Sequence, residues 1–307
     1  MKKILITGGT GFIGRALLCE LLKMGYQLYV LTRNKAKSAS DFSNNSVILI
    51  SSLEEIETLC EIDAIINLAG EPIANKRWTV KQKNILLQSR LKITHQVVEL
   101  CKRLEVKPKV LISASAVGFY GNCGDNIIDE SCELIDANSN SKKIFARHLC
   151  CLWESEALKC NTRTCIARFG VVLDKNQGAF KKMSMPFLFG LGGKIGNGKQ
   201  YFSWIHIQDA VNALIFLIEN DSLSGVFNIT SPSPITNEEF TKYLSRTLQK
   251  PAFFHINSGI IKLLFGQMGE EILLYSQRVL PRNLVKNGFK FKYETIEECL
   301  KMLCFEE

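Results

Sequence analysis

The chain has 307 residues, 46% hydrophobic and 22% charged, with a formal net charge of +8. That length holds one large domain, or a main domain with a smaller appendage, and that balance belongs to a folded globular protein. It excludes a disordered chain, and no apolar run approaches the roughly 20 residues a membrane span needs.

The basic charge favours anionic ligands, but no nucleic-acid motif accompanies it. The four histidines are isolated and offer no metal-ligand spacing, so no metal is expected. The start, MKKILITGG, reads as a buried strand rather than a signal peptide. The 11 cysteines are odd in number and contain no Cys-x-x-Cys. They read as reduced thiols, which gives a cytoplasmic expectation. The expected partner is a small-molecule substrate, with no nucleic acid and no membrane. Nothing in the sequence sets an oligomeric state.

In chain order, KILITG is a short apolar strand that runs into a glycine-rich turn. A helix follows with Ile13, Ala16, Leu17 and Leu21 on one face, and Gly25 stops it. QLYVLTR, SVILI, DAIINLAG and KVLISAS are further strands, with a helix over Gln82 to Arg103. A helix around Trp153 leads to the strand TRTCIARFG, and GVFNIT adds a late one. Strands alternating with helices predict a Rossmann-type doubly wound parallel sheet, an α/β fold. From about Phe180 the alternation weakens. FGLGGKIGNGKQ reads as a loop. WIHIQDAVNALIFLIEN reads as a strand, a cap at Asp209 and a helix. Tail helices fall near Asn237–Gln249, Ser258–Phe265 and Ile296–Leu303. The expected division is a cofactor domain over 1–180, to which later segments return, and a smaller α/β substrate-side region over 181–307, with the substrate cleft between them.

TGGTGFIG places Gly8, Gly11 and Gly14 between the first strand and the first helix, with Thr10, Phe12 and Ile13 completing the loop. In this context Gly8 makes a tight turn and Gly11 lets a pyrophosphate approach the helix amino terminus. Gly14 lets the helix pack on the strand. The second strand ends in Thr32-Arg33 rather than a carboxylate. An arginine fork suits a 2′-phosphate, so NADP(H) is expected over NAD(H). Asn67, Leu68, Ala69 and Gly70, after the fourth strand, run beside the adenosine side.

TGGTGFIG, NLAGE, ISASAVGFYG, RFGVVL and WIHIQD together resemble the extended short-chain dehydrogenase/reductase superfamily. WTVKQKNILLQSR, the Trp153-Glu154 pair, GLGGKIGNGKQYFSWIHIQD and the tail LLYSQRVLPRNLVKNGFKFKYETIEECL are similar to an atypical branch of it. That branch holds epimerase-family proteins of unknown substrate with a small carboxy-terminal domain of their own. The resemblance covers nearly the whole chain. It implies NADP(H) binding by the glycine loop, Thr32-Arg33, Leu68-Ala69, Arg90 and the strand ending at Phe169-Gly170.

The superfamily transfers a proton with a Tyr-x-x-x-Lys pair on a helix and orients substrate with a Ser or Thr. Here that helix reads IFARHLCCLWE. Ala146 and Cys150 occupy the two slots when Glu154 is aligned with the superfamily's helix glutamate. None of the seven tyrosines has Lys four residues on, so the pair has not moved elsewhere. Ser115 best matches the serine slot, with Ser113 as the alternative. Tyr120 is the candidate proton donor among tyrosines, and Glu71 and His206 are weaker candidates on the substrate side. The expectation is an NADP(H)-dependent oxidoreductase or epimerase-like enzyme with a non-standard acid/base. Its substrate would be a small, nucleotide-sugar-like molecule. The alternative is a non-catalytic NADP(H)-binding or sensing protein.

Overall fold

The computed structural model describes residues 2–39, 45–132 and 143–305. Among them, seven strands form one parallel sheet. They are β1 (Lys3–Thr7), β2 (Gln27–Leu31), β3 (Val47–Ile50), β4 (Ala64–Asn67), β5 (Val110–Ala116), β6 (Thr164–Phe169) and β7 (Gly225–Ile229). Their order is β7-β6-β5-β4-β1-β2-β3, the Rossmann arrangement. The order reverses between β1 and β4, where Thr7 pairs with Asn67. Ligand crevices in such sheets open beyond the carboxyl ends of the strands at this point.

The strand sequences lack apolar–polar alternation because both faces are covered. Ile4, Ile6, Leu28, Val30, Ile66 and Ile112 face one side. There they meet Leu17, Leu18 and Leu21 of α1 (Phe12–Lys23) and Val211 and Leu214 of the helix at Ile207–Glu219. Leu5, Ile65 and Leu111 face the other side, against Val97 and Leu100 of α2 (Val80–Arg103). α3 (Phe145–Ala157) packs beside α2 on that second side. Among the described residues, no helix is long and apolar enough to cross a membrane.

A second core gathers Leu173, Phe180, Phe187, Trp204, Phe240, Leu244, Ile296 and Leu300. Its helices are α4 (Gly178–Leu188), α6 (Asn237–Leu248) and α8 (Ile296–Phe305); α5 (Ile207–Glu219) and β7 lie between them in sequence but belong to the first layer. α7 (Ser258–Phe265) precedes the tail.

Two expectations are corrected here. The stretch FGLGGKIGNGKQ is not all loop, because Gly193–Ile195 is a strand paired in parallel with Phe254–Ile256. Its glycines serve close approach, since a side chain at Gly193 would collide with the Phe254 carbonyl. Asp209 is not the cap of α5. The cap is His206, whose Nδ1 accepts the Gln208 N–H at 3.1 Å. Asp209 lies in the first turn, on the buried face, and its carboxylate accepts the backbone N–H groups of Lys292 and Tyr293 at 2.8 and 2.9 Å. It fastens the tail to α5.

Candidate cofactor and active site

The glycine turn is shaped by contacts that no other residue allows. Gly8 has φ +72°, and a Cβ on it would lie 2.7 Å from the Ala69 nitrogen. A Cβ on Gly14 would run into the Gly8 carbonyl. The Gly11 N–H donates to that carbonyl at 2.9 Å. α1 then starts at Phe12 with no side chain capping its first turn. Its amides and the positive end of its dipole are left for an anion in the crevice. Arg15 Nε donates to the Thr10 carbonyl at 2.9 Å and steadies the turn. Phe12 touches Gly178, and Ile13 packs on the first core.

At the end of β2, Thr32 is buried and turned inward. Its hydroxyl meets Ser38 Oγ at 2.8 Å and accepts the Asn34 N–H at 3.3 Å. Arg33 beside it is exposed. Leu68, Ala69 and Gly70 form the facing wall of the crevice. The Asn67 side chain instead acts as a strut inside the protein. It accepts from Thr7 Oγ1 at 2.6 Å and donates to Thr94 Oγ1 at 2.8 Å, and Trp153 Nε1 donates to the same Thr94 oxygen at 3.0 Å. β1, β4, α2 and α3 are tied together through these four side chains.

Arg90 is buried against Gly70, where a Cβ would lie 3.0 Å from the guanidinium carbon, and stacks 5.0 Å over the Trp153 ring. One of its nitrogens donates to the Leu86 carbonyl, while Nε is buried without a partner among the described residues. A buried donor without an acceptor is costly unless a ligand satisfies it. Phe169 is buried at the end of β6. Gly170 crosses so close to Ser203 that a Cβ would lie 2.6 Å from its carbonyl oxygen.

Ala146, Cys150 and Glu154 recur at four-residue spacing and share one face of α3, the face turned to β5. The Ala146 methyl lies against Gly118. Cys150 is buried beside Ser115 and Ala116, and burial pushes its thiol up to about 12. It is a packing thiol. Glu154 is the polar member of this face. Ser115 Oγ donates to its Oε1 at 2.5 Å, Arg168 Nε donates to Oε1 at 2.8 Å, and Arg168 Nη2 donates to Oε2 at 2.7 Å. Arg168 Nη1 donates to the Tyr120 hydroxyl at 2.9 Å, which donates to Asn228 Oδ1 at 2.9 Å. Ser115 and Tyr120 therefore belong to one buried chain that runs from Ser115 to Asn228 through the Glu154–Arg168 pair. Burial pushes Tyr120 up to about 12, even with the Arg168 guanidinium beside it.

Arg168, Asn228 and Glu271 carry this region and were not singled out from the sequence. One signal was present for Arg168, since a charge inside the buried strand IARFG requires a buried partner. Glu271 caps α3 from the tail, accepting the N–H groups of Phe145 and Ala146 at 2.9 and 2.7 Å. Met268 packs with Trp78 and Phe145 beside it. The tail thus roofs the start of α3, next to Ala146.

Glu71 is half-buried, and its N–H donates to Ser89 Oγ at 3.1 Å. His206 is buried, stacks on Tyr293 at 4.2 Å, and is pushed down to about 4 by burial. Its neutral ring is what caps α5. The unfolded chain binds a proton at about 6.5 and the folded one only near 4, so stability present above pH 6.5 is lost as pH falls. Urea unfolding should show about 2 kcal/mol lost through His206 between pH 7.5 and pH 5. His206→Gln should flatten that part of the profile, and an unchanged profile would sink the assignment.

The chain matches the model of the NAD dependent epimerase/dehydratase family over residues 4–230 and that of a domain of unknown function, DUF1731, over residues 258–303. It is 35% identical over 303 residues to the epimerase family protein YfhF of Bacillus subtilis, covering 98% of this chain and 97% of that protein. It is 36% identical to the chloroplastic SDR39U1 homologue of Arabidopsis thaliana, covering 97% of this chain and 85% of that one. Among solved structures, human epimerase family protein SDR39U1 with NADPH superposes with a TM-score of 0.87 at 31% identity, covering 98% of each chain.

Proposed function

Because the chain belongs to the NAD dependent epimerase/dehydratase family, we propose that it is an NADP(H)-dependent oxidoreductase or epimerase-like enzyme acting on a small, nucleotide-sugar-like substrate. The similar human protein was solved with NADPH, and the residues of the crevice fit that ligand. The Gly8–Gly14 turn and the first turn of α1 hold the pyrophosphate, and Arg33 takes the 2′-phosphate. Arg90 completes its hydrogen bonding on cofactor phosphate. The cofactor supplies hydride transfer at its nicotinamide.

The observation that carries the enzymatic reading is the Ser115–Glu154 hydrogen bond at the carboxyl end of β5, 2.5 Å long. With its own proton on Glu154, Ser115 Oγ turns its lone pairs outward. A substrate hydroxyl or carbonyl oxygen is held at that serine oxygen. Arg168 grips both carboxylate oxygens and keeps the pair in place. This serine–glutamate pair orients the substrate oxygen where Ala146 and Cys150 supply no acid/base group. Tyr120 supports it from the far side of Arg168. The substrate enters from the second region, 181–307, beside Glu71 and under the roof made by Met268 and Glu271. The reduced cysteines suit a cytoplasmic setting.

Calorimetry tests the cofactor assignment. Wild type should prefer NADPH to NADH. Arg33→Ala should lose on the order of 1.5–3 kcal/mol of NADPH affinity while NADH binding stays put. Equal affinity of wild type for both nucleotides would overturn the choice. Ser115→Ala should bind NADPH as wild type does and abolish turnover of a reactive carbonyl substrate.

A second reading, a non-catalytic NADP(H)-binding or sensing protein, is favoured by one observation. The α3 face turned to β5 carries Ala146 and a buried Cys150 in place of an acid/base pair. Tight NADPH binding without oxidation of the nucleotide across a panel of nucleotide sugars and simple carbonyls would select it.

A further inference from the structure

Two segments of the second region hold the whole charge excess of the chain. Residues 178–199 carry Lys181, Lys182, Lys194 and Lys199, and contain no Asp or Glu. Residues 240–269 carry Lys242, Arg246, Lys250 and Lys262, again with no Asp or Glu. These eight cations equal the formal net charge of +8, so the rest of the chain is neutral. The parallel pairing of Gly193–Ile195 with Phe254–Ile256 joins the two segments in space.

The same segments expose large apolar side chains. Phe253 is 91% exposed, and Phe189 and Leu263 are each 75% exposed. The strand pairing sets Leu188 and Leu191, just before one strand, beside Phe253 and Phe254 of the other, all of them exposed. α7 begins two residues beyond that second strand. On it Ile260, Leu263 and Leu264 share one exposed face, while Ile261 is the residue buried beneath. Single exposed apolar residues are ordinary, whereas a run of them on adjoining elements marks a surface that meets something. Behind this face Phe180, Phe187, Phe240 and Leu244 pack in the second core, so it is backed by a rigid layer.

Cations and rings stand side by side. Lys242 and Arg246 border one hollow with Phe253 and Phe254, and the carboxylate there, Glu238, is taken up by Lys194 at 3.0 Å. Lys262 is held by Glu270 at 2.7 Å. Lys242, Arg246 and Lys250 are exposed and form no ion pair among the described residues.

We infer that this face of the second region docks the protein on an anionic phospholipid bilayer, with Phe189, Phe253, Leu263 and Leu264 entering the acyl boundary while Lys242, Arg246 and Lys250 meet the headgroup phosphates. A bilayer surface answers both halves of the face at once, an apolar layer for the rings and negative charge for the cations beside them. A nucleic acid answers the cations and leaves Leu263 and Leu264 in water. A second copy of the chain covers the apolar side chains and sets Lys242, Arg246 and Lys250 near their own images, where like charges repel. The lack of a spanning helix among the described residues, which matches the expectation of no membrane partner, does not oppose this, because lying on a bilayer needs only such a face.

The test is co-sedimentation of the full chain with vesicles. Wild type should bind vesicles of equal parts phosphatidylcholine and phosphatidylglycerol, and stay in solution with phosphatidylcholine alone. Binding should weaken steeply as salt is raised from about 0.05 M to about 0.5 M. Changing Lys242, Arg246 and Lys250 together to Gln should weaken it about 100-fold, at roughly fivefold for each cation. Phe253→Ser combined with Leu263→Ser should weaken it roughly tenfold or more with every cation kept. All these positions lie outside the cofactor turn, so unchanged NADPH affinity shows that each variant is folded. In Phe253→Trp the new indole should be quenched by lipids brominated on their acyl chains. Equal sedimentation with both kinds of vesicle, or a Trp at 253 that acyl-chain bromines do not quench, overturns the proposal. So does a solution dimer that Leu263→Ser breaks in a protein that ignores vesicles, which assigns the face to a second copy. Binding to single-stranded DNA as tight as to the anionic vesicles, and indifferent to the Phe253 and Leu263 changes, also overturns it.

Discussion

Arg168→Met should cost the fold about 3–5 kcal/mol, measured by urea unfolding at pH 7. Arg168 and Glu154 are 4% and 6% exposed and meet at 2.7 Å. A buried ion pair adds little when both partners are present, but removing one leaves the other charge desolvated without compensation. Methionine keeps the volume and deletes every donor, so Glu154 loses two of its three hydrogen bonds and Ser115 must hold it alone. The Tyr120 hydroxyl loses its donor as well. Adding Glu154→Gln should return most of the lost stability, because the stranded charge is gone. A loss under about 1 kcal/mol for Arg168→Met would mean the pair is hydrated and the chain from Ser115 to Asn228 is not a buried unit.

Trp153→Ala is expected to destabilise by about 3–5 kcal/mol, the usual range for removing a buried aromatic. Trp153 is 5% exposed, belongs to the first core, holds Thr94 through its indole N–H and carries the Arg90 guanidinium on its ring. Alanine opens a cavity under α3 and removes the platform that keeps Arg90 beside Gly70. NADPH affinity should fall along with stability. Trp153→Phe keeps most of the ring and should cost far less, chiefly one hydrogen bond of about 1 kcal/mol. Chemical denaturation of both variants separates the two terms. An alanine variant as stable as wild type would remove α3 from its role as a packing helix.

The sheet strands and the glycine turn were legible in the sequence because their signals are local. Apolar runs of four to seven residues and the Gly8, Gly11, Gly14 spacing need no knowledge of distant partners. The polar chain was not legible for the opposite reason. Tyr120 and Asn228 are 108 residues apart, and Ser115 meets Arg168 only because β5 pairs with β6. Ser115, Tyr120 and Glu154 each drew notice, but nothing in their spacing reveals that Arg168 joins them. Asp209 misled because an acidic residue in a first helical turn is a common cap. Its true partners are the Lys292 and Tyr293 amides, more than eighty residues on. The strand at Gly193–Ile195 was hidden by glycines that signal a turn when read alone and a close backbone approach when paired.

The central claim is that the crevice between β1 and β4 presents a nicotinamide to Ser115 and its glutamate. A crystal structure of the protein with NADPH measures this directly. The account predicts the pyrophosphate on the first turn of α1, the 2′-phosphate on Arg33, and the reactive ring carbon facing an open space beside Ser115 Oγ, close enough that a substrate oxygen can bridge the two at about 3–3.5 Å from each. A nicotinamide turned away from Ser115, or sealed off from it by side chains of the tail such as Met268, would contradict the account and leave a protein that binds NADPH without acting on a substrate.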